Sequence, residues 1–229
     1  MQAVTPVKLA FACMMIGLLA MPAAWAQSVA GRAPATSTLP ATIPIFPLED
    51  VVLFPDMSVP LHIYEPRYRA MLADALKSNR MIGMVLLRPG YEADYERSPS
   101  VFPIGCAGVL TEVRTMPNGE SDIVLRAVTK FRIEREEAST PYRVARVTAI
   151  PETTTQPEAL HTQRQRLDTL LASSGSGAGL GSIPQGLSDE ELVNGVAQYV
   201  GIDALDRQKL LEQEGALSRA LALIELFQK

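Results

Sequence analysis

The residues whose chemistry could support catalysis are few in this chain. It contains two histidines, so each candidate general base or metal ligand can be considered individually. A catalytic triad requires a histidine beside a serine and a carboxylate, and a metal site requires clustered ligands. His62 lies in a run of alternating apolar residues and His161 in a polar segment, without such a cluster around either. We therefore predict no catalytic residue, no metal ligand and no cofactor.

Cys106 is the candidate nucleophile that remains. The other cysteine, Cys13, lies in an apolar stretch that we expect to be removed from the mature chain. A lone thiol forms no intrachain disulfide and most simply behaves as a small buried hydrophobic side chain. The alternative is a reactive thiol, for example one paired with His62, in a thiol-dependent enzyme or redox protein.

Nucleotide and peptidase chemistry are not predicted either. The sequence has no G-x-x-x-x-G-K-[ST] phosphate loop. Glycines at positions 175, 177, 179 and 181 have no strand before them and no lysine after them, which is typical of a linker. The lysines that follow the apolar amino terminus stand in no recognisable nucleophile context: Lys77, Lys130, Lys209 and Lys229. The chain is therefore not predicted to be an enzyme.

Composition limits the partners. The 229 residues are 47% hydrophobic and 20% charged, which fits one globular domain or two small ones. A chain of this length can bury enough apolar surface to need no metal or disulfide for stability. The formal net charge is −4, without a block of lysine and arginine. We therefore expect no nucleic-acid partner and no binding to anionic lipid.

Residues 1–26 are typical of a cleaved secretory signal peptide. Lys8 supplies positive charge, residues 9–20 are apolar, and Pro22 precedes a small-residue site that ends at Ala26. The alternative is an uncleaved anchor, since the uncharged stretch has marginal length for spanning a bilayer. The proline and the Ala-x-Ala site favour cleavage after Ala26. We expect an exported, periplasmic protein that is not stably inserted in the membrane.

Three further segments follow the signal peptide. Residues 27–41 are rich in Ala, Pro, Ser and Thr and predict a disordered leader. Residues 42–150 are predicted to be β-rich and residues 151–229 helical. Within the helical part, the Gly/Ser-rich residues 173–186 predict a flexible linker.

The β-rich segment carries clear local signals. Every second residue from Val59 to Ile63 is aliphatic, which is the period of a half-buried strand. Pro66 fits the first turn of a helix, where its missing N–H has no cost. Asn118-Gly119 between two alternating runs predicts a β-hairpin. Residues 121–128 and 131–136 are expected to be separate strands.

The carboxy-terminal segment predicts short amphipathic helices. Ser188 and Glu191 have the spacing of a capping box. In the last helix, one apolar stripe is predicted to contain Leu217, Leu221, Ile224 and Phe227. Such short helices do not persist alone in water, so they must pack on one another or on the sheet.

Residues 45–68 resemble the opening of the Lon protease amino-terminal domain, the part of Lon implicated in substrate recognition. They read IFPLEDVVLFPDMSVPLHIYEPRY, and the ending Glu-Pro-Arg-Tyr is similar to that of stand-alone members without a protease. Residues 104–110 resemble the glycine-containing strand of the family. Residues 123–133 resemble its strand-turn-strand signature, with Ala127 and Val128 where glycine is frequent.

The resemblance extends from about Ile43 to Phe227 and implies an α+β fold. The expected architecture is a small, mostly antiparallel β pseudo-barrel related to PUA-like domains, followed by a helical bundle. The implied function is non-catalytic binding of polypeptides, without the ATPase and peptidase modules of the full protease. Two alternatives to polypeptide binding remain: the thiol-dependent protein described above and a purely structural module.

A polypeptide-binding site should present an exposed apolar patch with aromatic anchors. We assign Phe54 to the core, although it lies in the same segment. The sequence does not specify the oligomeric state. The candidate protein-binding residues are Met57, His62, Tyr64 and Tyr68. The alternative is core packing for Met57, Tyr64 and Tyr68, and a hydrogen-bonded structural role or surface contact for His62.

Overall fold

The computed structural model describes residues 39–94, 98–137, 141–173 and 186–228. The predicted signal peptide, the leader as far as residue 38 and most of the predicted linker lie outside these ranges. Within the described ranges, no helix combines the length and the apolar character needed to cross a membrane.

Six strands of the described chain form one sheet. They run in the order β2-β5-β4-β3-β1-β6, and β6 pairs again with β5, so that five strands close into a ring. Among the strands of the described ranges, β1 and β3 alone pair in parallel. The strands are β1 (Thr42–Leu48), β2 (Ser58–Ile63), β3 (Met81–Leu86), β4 (Ile104–Thr115), β5 (Ser121–Glu137) and β6 (Val144–Ile150). The predicted mostly antiparallel α+β architecture is confirmed, whereas the PUA-like relationship and the helical bundle stay predictions.

The sheet is open along one line beside this ring. The amino-terminal half of β5 pairs with β2, and its carboxy-terminal half pairs with β6. β6 continues to β1 through the start of that strand, whereas no ladder joins β2 to β1 among the described residues. We call this gap between β2 and the carboxy-terminal half of β1 the seam.

The prediction of separate strands at residues 121–128 and 131–136 is wrong, because β5 spans both segments. This strand continues without a turn through Ala127 and Val128. Register shifts fall in its pairing with β4 near Gly108, and in its pairing with β6 near Ile133. Such bulges bend and twist a strand, so one strand curves around the ring where the sequence suggested a break.

Local signals at other positions are confirmed. Residues 116–120 form the predicted hairpin turn, in which the Met116 N–H donates to the Glu120 carbonyl over 2.8 Å. Gly119 adopts a φ of +83°, a region that favours glycine. Gly105 in β4 is required by close packing, since a Cβ there would lie 2.8 Å from Cζ of Phe131.

Five α-helices occur in the described chain. α1 begins at Pro66, as predicted, and packs Tyr68, Met71, Leu72 and Ala75 into the core. The capping box at the start of α3 is confirmed, because Ser188 and Glu191 each accept the other's backbone N–H. The helices are α1 (Pro66–Lys77), α2 (Pro157–Ser173), α3 (Asp189–Tyr199), α4 (Ala204–Leu211) and α5 (Ala216–Phe227).

The buried face of α5 is rotated relative to the prediction. Ile224 is buried as expected, but Leu221 is 43% exposed. Arg219 is fully buried and takes a place on the inner face. The partners of Arg219 lie inside the molecule, so this side chain is on the inner side of the helix. The buried face therefore centres on Ala220 and Leu223.

A buried ionic cluster joins the helices to the ring. Nζ of Lys130 from β5 lies 2.7 Å from Oε1 of Glu152, and the guanidinium of Arg219 pairs with the same carboxylate. Arg219 also donates to Asn194 in α3 and, over 3.1 Å, to the Leu210 carbonyl. We refer to Lys130, Glu152, Asn194 and Arg219 as the buried ionic cluster.

Candidate functional site

A cleft of about 500 Å³ lies along the seam. One wall is residues 46–50, at the end of β1, and the other is residues 62–65, at the end of β2. Leu87, Tyr91 and Glu92 complete the lining from the segment that follows β3. We refer to this feature as the seam cleft.

Aromatic packing holds the floor of the cleft. The Tyr68 ring at the start of α1 lies 4.4 Å from the Phe46 ring, measured between centroids. Arg67 lies over the Tyr68 ring at 5.1 Å and forms an ion pair of 2.6 Å with Glu65. The short connection from β2 through Glu65 into α1 therefore fixes the rings at the cleft relative to both strands.

His62 and Tyr64 form the rim. The Tyr64 residue is 59% exposed, and its ring stacks near the His62 ring with centroids 6.1 Å apart. The two ring nitrogens of His62 lie 2.8 Å from Asp122 and 3.2 Å from Glu120. The hydrogen bond to Asp122 is the main reason that the pKa of His62 is raised; desolvation opposes it, and the hydrogen bond to Glu120 adds a smaller increase. The imidazolium form satisfies both contacts, since both of its nitrogens donate.

The predicted protein-binding residues divide into two groups. His62, Tyr64 and Tyr68 all line the seam cleft, although Tyr68 is only 8% exposed. Met57 lies in the hydrophobic core with 9% exposure and is absent from the lining of this cleft. Phe54 is fully buried, as assigned from the sequence.

Sequence reasoning missed the other wall of the cleft. Glu49 and Asp50 follow β1, and Tyr91 and Glu92 follow β3 in a short 3₁₀ helix. The parallel pairing of β1 with β3 carries both strand ends to the same edge. No periodic pattern in these loops announces that arrangement, although Glu49 and Asp50 lie inside the segment that carried the family resemblance.

Cys106 does not have the surroundings of a nucleophile. Its residue has 0% exposure in β4, and its Sγ lies 3.4 Å from the Thr129 carbonyl oxygen. Burial raises the pKa of the thiol far above its ordinary range, so the thiolate form is disfavoured. His62 instead contacts Asp122 and Glu120. The structure therefore gives no support to the thiol-dependent alternative.

The remaining titratable groups form no metal site in the described ranges. No group of three or more His, Cys, Asp or Glu side chains there could hold a metal ion. The seam cleft offers aromatic and apolar surface beside carboxylates, and these side chains can bind a ligand without reacting with it.

Two solved structures with this arrangement are amino-terminal domains of Lon proteins. The chain superposes on a Lon N-terminal domain protein from Xanthomonas campestris with a TM-score of 0.58 and 19% identity, covering 80% of this chain and 97% of that one. It superposes on the N-terminal domain of a Mycobacterium avium complex Lon protease with a TM-score of 0.64 and 16% identity, covering 82% and 98%. These similarities establish the class of fold.

The family follows from the sequence match. The family model of the ATP-dependent protease La (LON) substrate-binding domain matches residues 42–229, so the chain belongs to that family. The resemblance to the Lon amino-terminal domain is thereby confirmed.

Curated relatives are whole Lon proteases. The Lon protease of Desulfovibrio desulfuricans is 27% identical over 204 residues, which are 86% of this chain and 23% of that protein. Lon protease 2 of Syntrophobacter fumaroxidans is 26% identical over 187 residues, which are 76% and 22%. The chain thus spans about a quarter of the length of these relatives.

Proposed function

We propose that this protein is a non-catalytic, exported polypeptide-binding protein that holds its ligand in the seam cleft. The observation that carries the proposal is the aromatic cleft itself, with Tyr64 exposed at its rim directly after β2, a strand that pairs with β5 of the ring. The description of the family as a substrate-binding domain supports a polypeptide as the class of ligand.

The surroundings of Tyr64 suit an anchor for a flexible ligand. Phe46 and Tyr68 line the same cleft as a packed aromatic pair, and aromatic side chains supply much contact area for little loss of side-chain entropy. Tyr64 follows β2 directly and precedes α1, so both neighbours restrict its backbone. A ligand that covers Tyr64 would bury an aromatic surface that already has a fixed position, which favours binding.

Export is part of the proposal. It rests on the signal-peptide pattern of residues 1–26, with cleavage after Ala26 and a periplasmic location. A nucleic-acid ligand is not proposed, because the carboxylates of Glu49, Asp50 and Glu92 around the cleft would repel phosphates.

Truncation of Tyr64 tests the binding site. The probe is a fluorescein-labelled, unstructured peptide of leucine, tyrosine, serine and glycine, with affinity measured by fluorescence anisotropy. Loss of an aromatic anchor typically costs at least ~2 kcal/mol, or about thirtyfold in Kd. We expect Tyr64→Ala to weaken binding by this amount and to leave the melting temperature within a few degrees, because the side chain is exposed.

Leu205→Ala is the matched control, since Leu205 is 40% exposed on α4 and does not line the cleft. It should bind the peptide like the wild type. Equal affinities of the Tyr64→Ala and Leu205→Ala variants would remove the seam cleft as the binding site. A large fall in the melting temperature of Tyr64→Ala would mean that the residue is a structural one.

A further inference from the structure

The side chains that line the seam cleft include more carboxylates than cationic groups, so they offer hydrogen-bond acceptors and negative charge. Four carboxylates line it, and neither lysine nor arginine does so among the described residues. Glu65 pairs with Arg67, and Glu49 accepts a hydrogen bond from the Tyr91 hydroxyl. Asp50 and Glu92 form no ion pair with any residue in the described ranges. The cleft therefore holds two carboxylates, Asp50 and Glu92, that pair with no cation from the described ranges.

The backbone of β1 adds a carbonyl to this lining. The Leu48 carbonyl accepts from the Leu87 N–H on the β3 side, whereas the Ile45 N–H donates to the Arg143 carbonyl on the opposite side. Backbone groups of successive residues alternate in direction along a strand, so the Pro47 carbonyl points away from β3 and toward the seam. Proline has no N–H, so this position offers an acceptor without the usual donor.

The backbone of β2 has the same character. Ala127 of β5 donates its N–H to the Met57 carbonyl, and the hydroxyl of Tyr199 donates to the Ser58 carbonyl on the other edge. The alternation turns the backbone groups of Pro60 and His62 to that outer edge. Pro60 again contributes only a carbonyl. Each of the two strands thus has a proline on its unpaired edge, and of these two prolines Pro47 lines the seam cleft.

We propose that the seam cleft selects extended polypeptide segments that carry an arginine or lysine next to an apolar side chain. This inference rests on the proposed function and names the class of segment that the same site prefers. The cationic side chain brings positive charge to a lining without lysine or arginine among the described residues. An arginine also offers five donors in a planar arrangement that suits carboxylates. The neighbouring apolar side chain covers Tyr64 and the Phe46–Tyr68 pair at the floor. Asp50 and Glu92 are the carboxylates available to the cation.

A peptide pair that differs in one charge tests this selectivity. One labelled, unstructured peptide carries a leucine-arginine-leucine centre, and the other has citrulline, a neutral side chain of nearly the same shape, in place of the arginine. We expect the full-length wild type to bind the arginine peptide about threefold to tenfold more tightly, the range for two partly exposed ion pairs. The preference should shrink as salt is raised from 0.15 M to 1 M, because screening shortens the range of the attraction.

Two double variants locate the charge. Asp50→Asn with Glu92→Gln should bind both peptides equally, at the affinity of the wild type for the citrulline peptide. Glu134→Gln with Glu225→Gln removes the same number of exposed carboxylates outside the cleft and should keep the full preference. Loss of the preference in both double variants would mean that net charge, and not the cleft, attracts the peptide.

The failure of this inference differs from the failure of the proposed function. If the wild type binds both peptides equally and Tyr64→Ala weakens both, the cleft binds polypeptides without selecting a cation, and only the inference is overturned. If the wild type binds neither peptide, the proposed function fails and the inference fails with it.

Discussion

The buried ionic cluster and the seam cleft contain the same kinds of charged group in opposite circumstances. In the cluster, Glu152 receives two internal cations, Lys130 and Arg219, which are 2% and 0% exposed. In the cleft, Asp50 and Glu92 are exposed and receive none from the described residues. The difference indicates which carboxylates stabilise the fold and which ones remain available to a partner.

The pKa directions agree with this division. Burial alone would raise the pKa of Glu152, but the hydrogen bonds and charge of Arg219, followed by those of Lys130, outweigh it and lower that pKa. Burial lowers the pKa of Lys130, and Glu152 opposes that effect. A charge can therefore be kept in this interior only because each member compensates for the desolvation of another.

The largest expected effect comes from placing a carboxylate in the interior without a cation. Ile224 is 3% exposed on α5, so Ile224→Asp loses apolar packing and buries an unpaired charge. We expect the free energy of unfolding to fall by on the order of 5 kcal/mol, measured by urea denaturation. Leu221→Asp on the exposed side of the same helix is the control and should change it by less than about 1 kcal/mol. Equal losses in the two variants would show that the helix packs with a different face.

Removing one cation from the buried ionic cluster comes next. Arg219→Met keeps most of the side-chain volume but leaves Glu152 with Lys130 alone and Asn194 without its guanidinium partner. We expect a loss of about 4 kcal/mol in the free energy of unfolding. Arg135→Met removes a side chain that is 65% exposed and should cost less than about 0.5 kcal/mol. A stability of Arg219→Met close to that of the wild type would contradict the structural role of the cluster.

The smallest expected effect concerns the rim of the cleft. The pKa of His62 is raised by its hydrogen bond to Asp122 and, to a lesser extent, by Glu120, so protonation sets in at a higher pH than for an ordinary histidine. As the pH falls through that pKa, a positive charge appears beside the seam cleft. We expect the affinity for the arginine peptide to fall about twofold over this step, while the citrulline peptide binds unchanged. His62→Gln should abolish the step, and a step of the same size in that variant would assign it to another group.

Local signals in the sequence predicted much of the fold. Pro66 starts α1, Ser188 and Glu191 cap α3, and Gly119 turns the hairpin, each because the physical cause lies within a few residues. The family resemblance supplied the closed, mostly antiparallel character of the sheet, which no local pattern specifies.

Strand pairings and contacts between residues distant in the sequence were not predicted. The seam arises because β5 is long enough to pair with both β2 and β6, and its bulges could not be read from residues 121–137 alone. Arg219 bonds to partners at positions 152 and 194, which the apolar pattern of α5 does not reveal. That pattern therefore predicted Leu221 on the buried stripe, whereas it is exposed. For the cleft, the alternation in β2 identified His62 and Tyr64, whereas Asp50 and Glu92 meet only through the pairing of β1 with β3.

The central claim is that a polypeptide occupies the seam cleft, and amide chemical shifts observe this most directly. The full-length protein labelled with ¹⁵N is titrated with the arginine peptide, and the shifts are followed to saturation. We expect the largest saturable changes at the amides of Asp50, His62 and Tyr64, with little change at Cys106 in the core. Saturable changes confined to α2–α5, with the cleft amides unmoved, would contradict it.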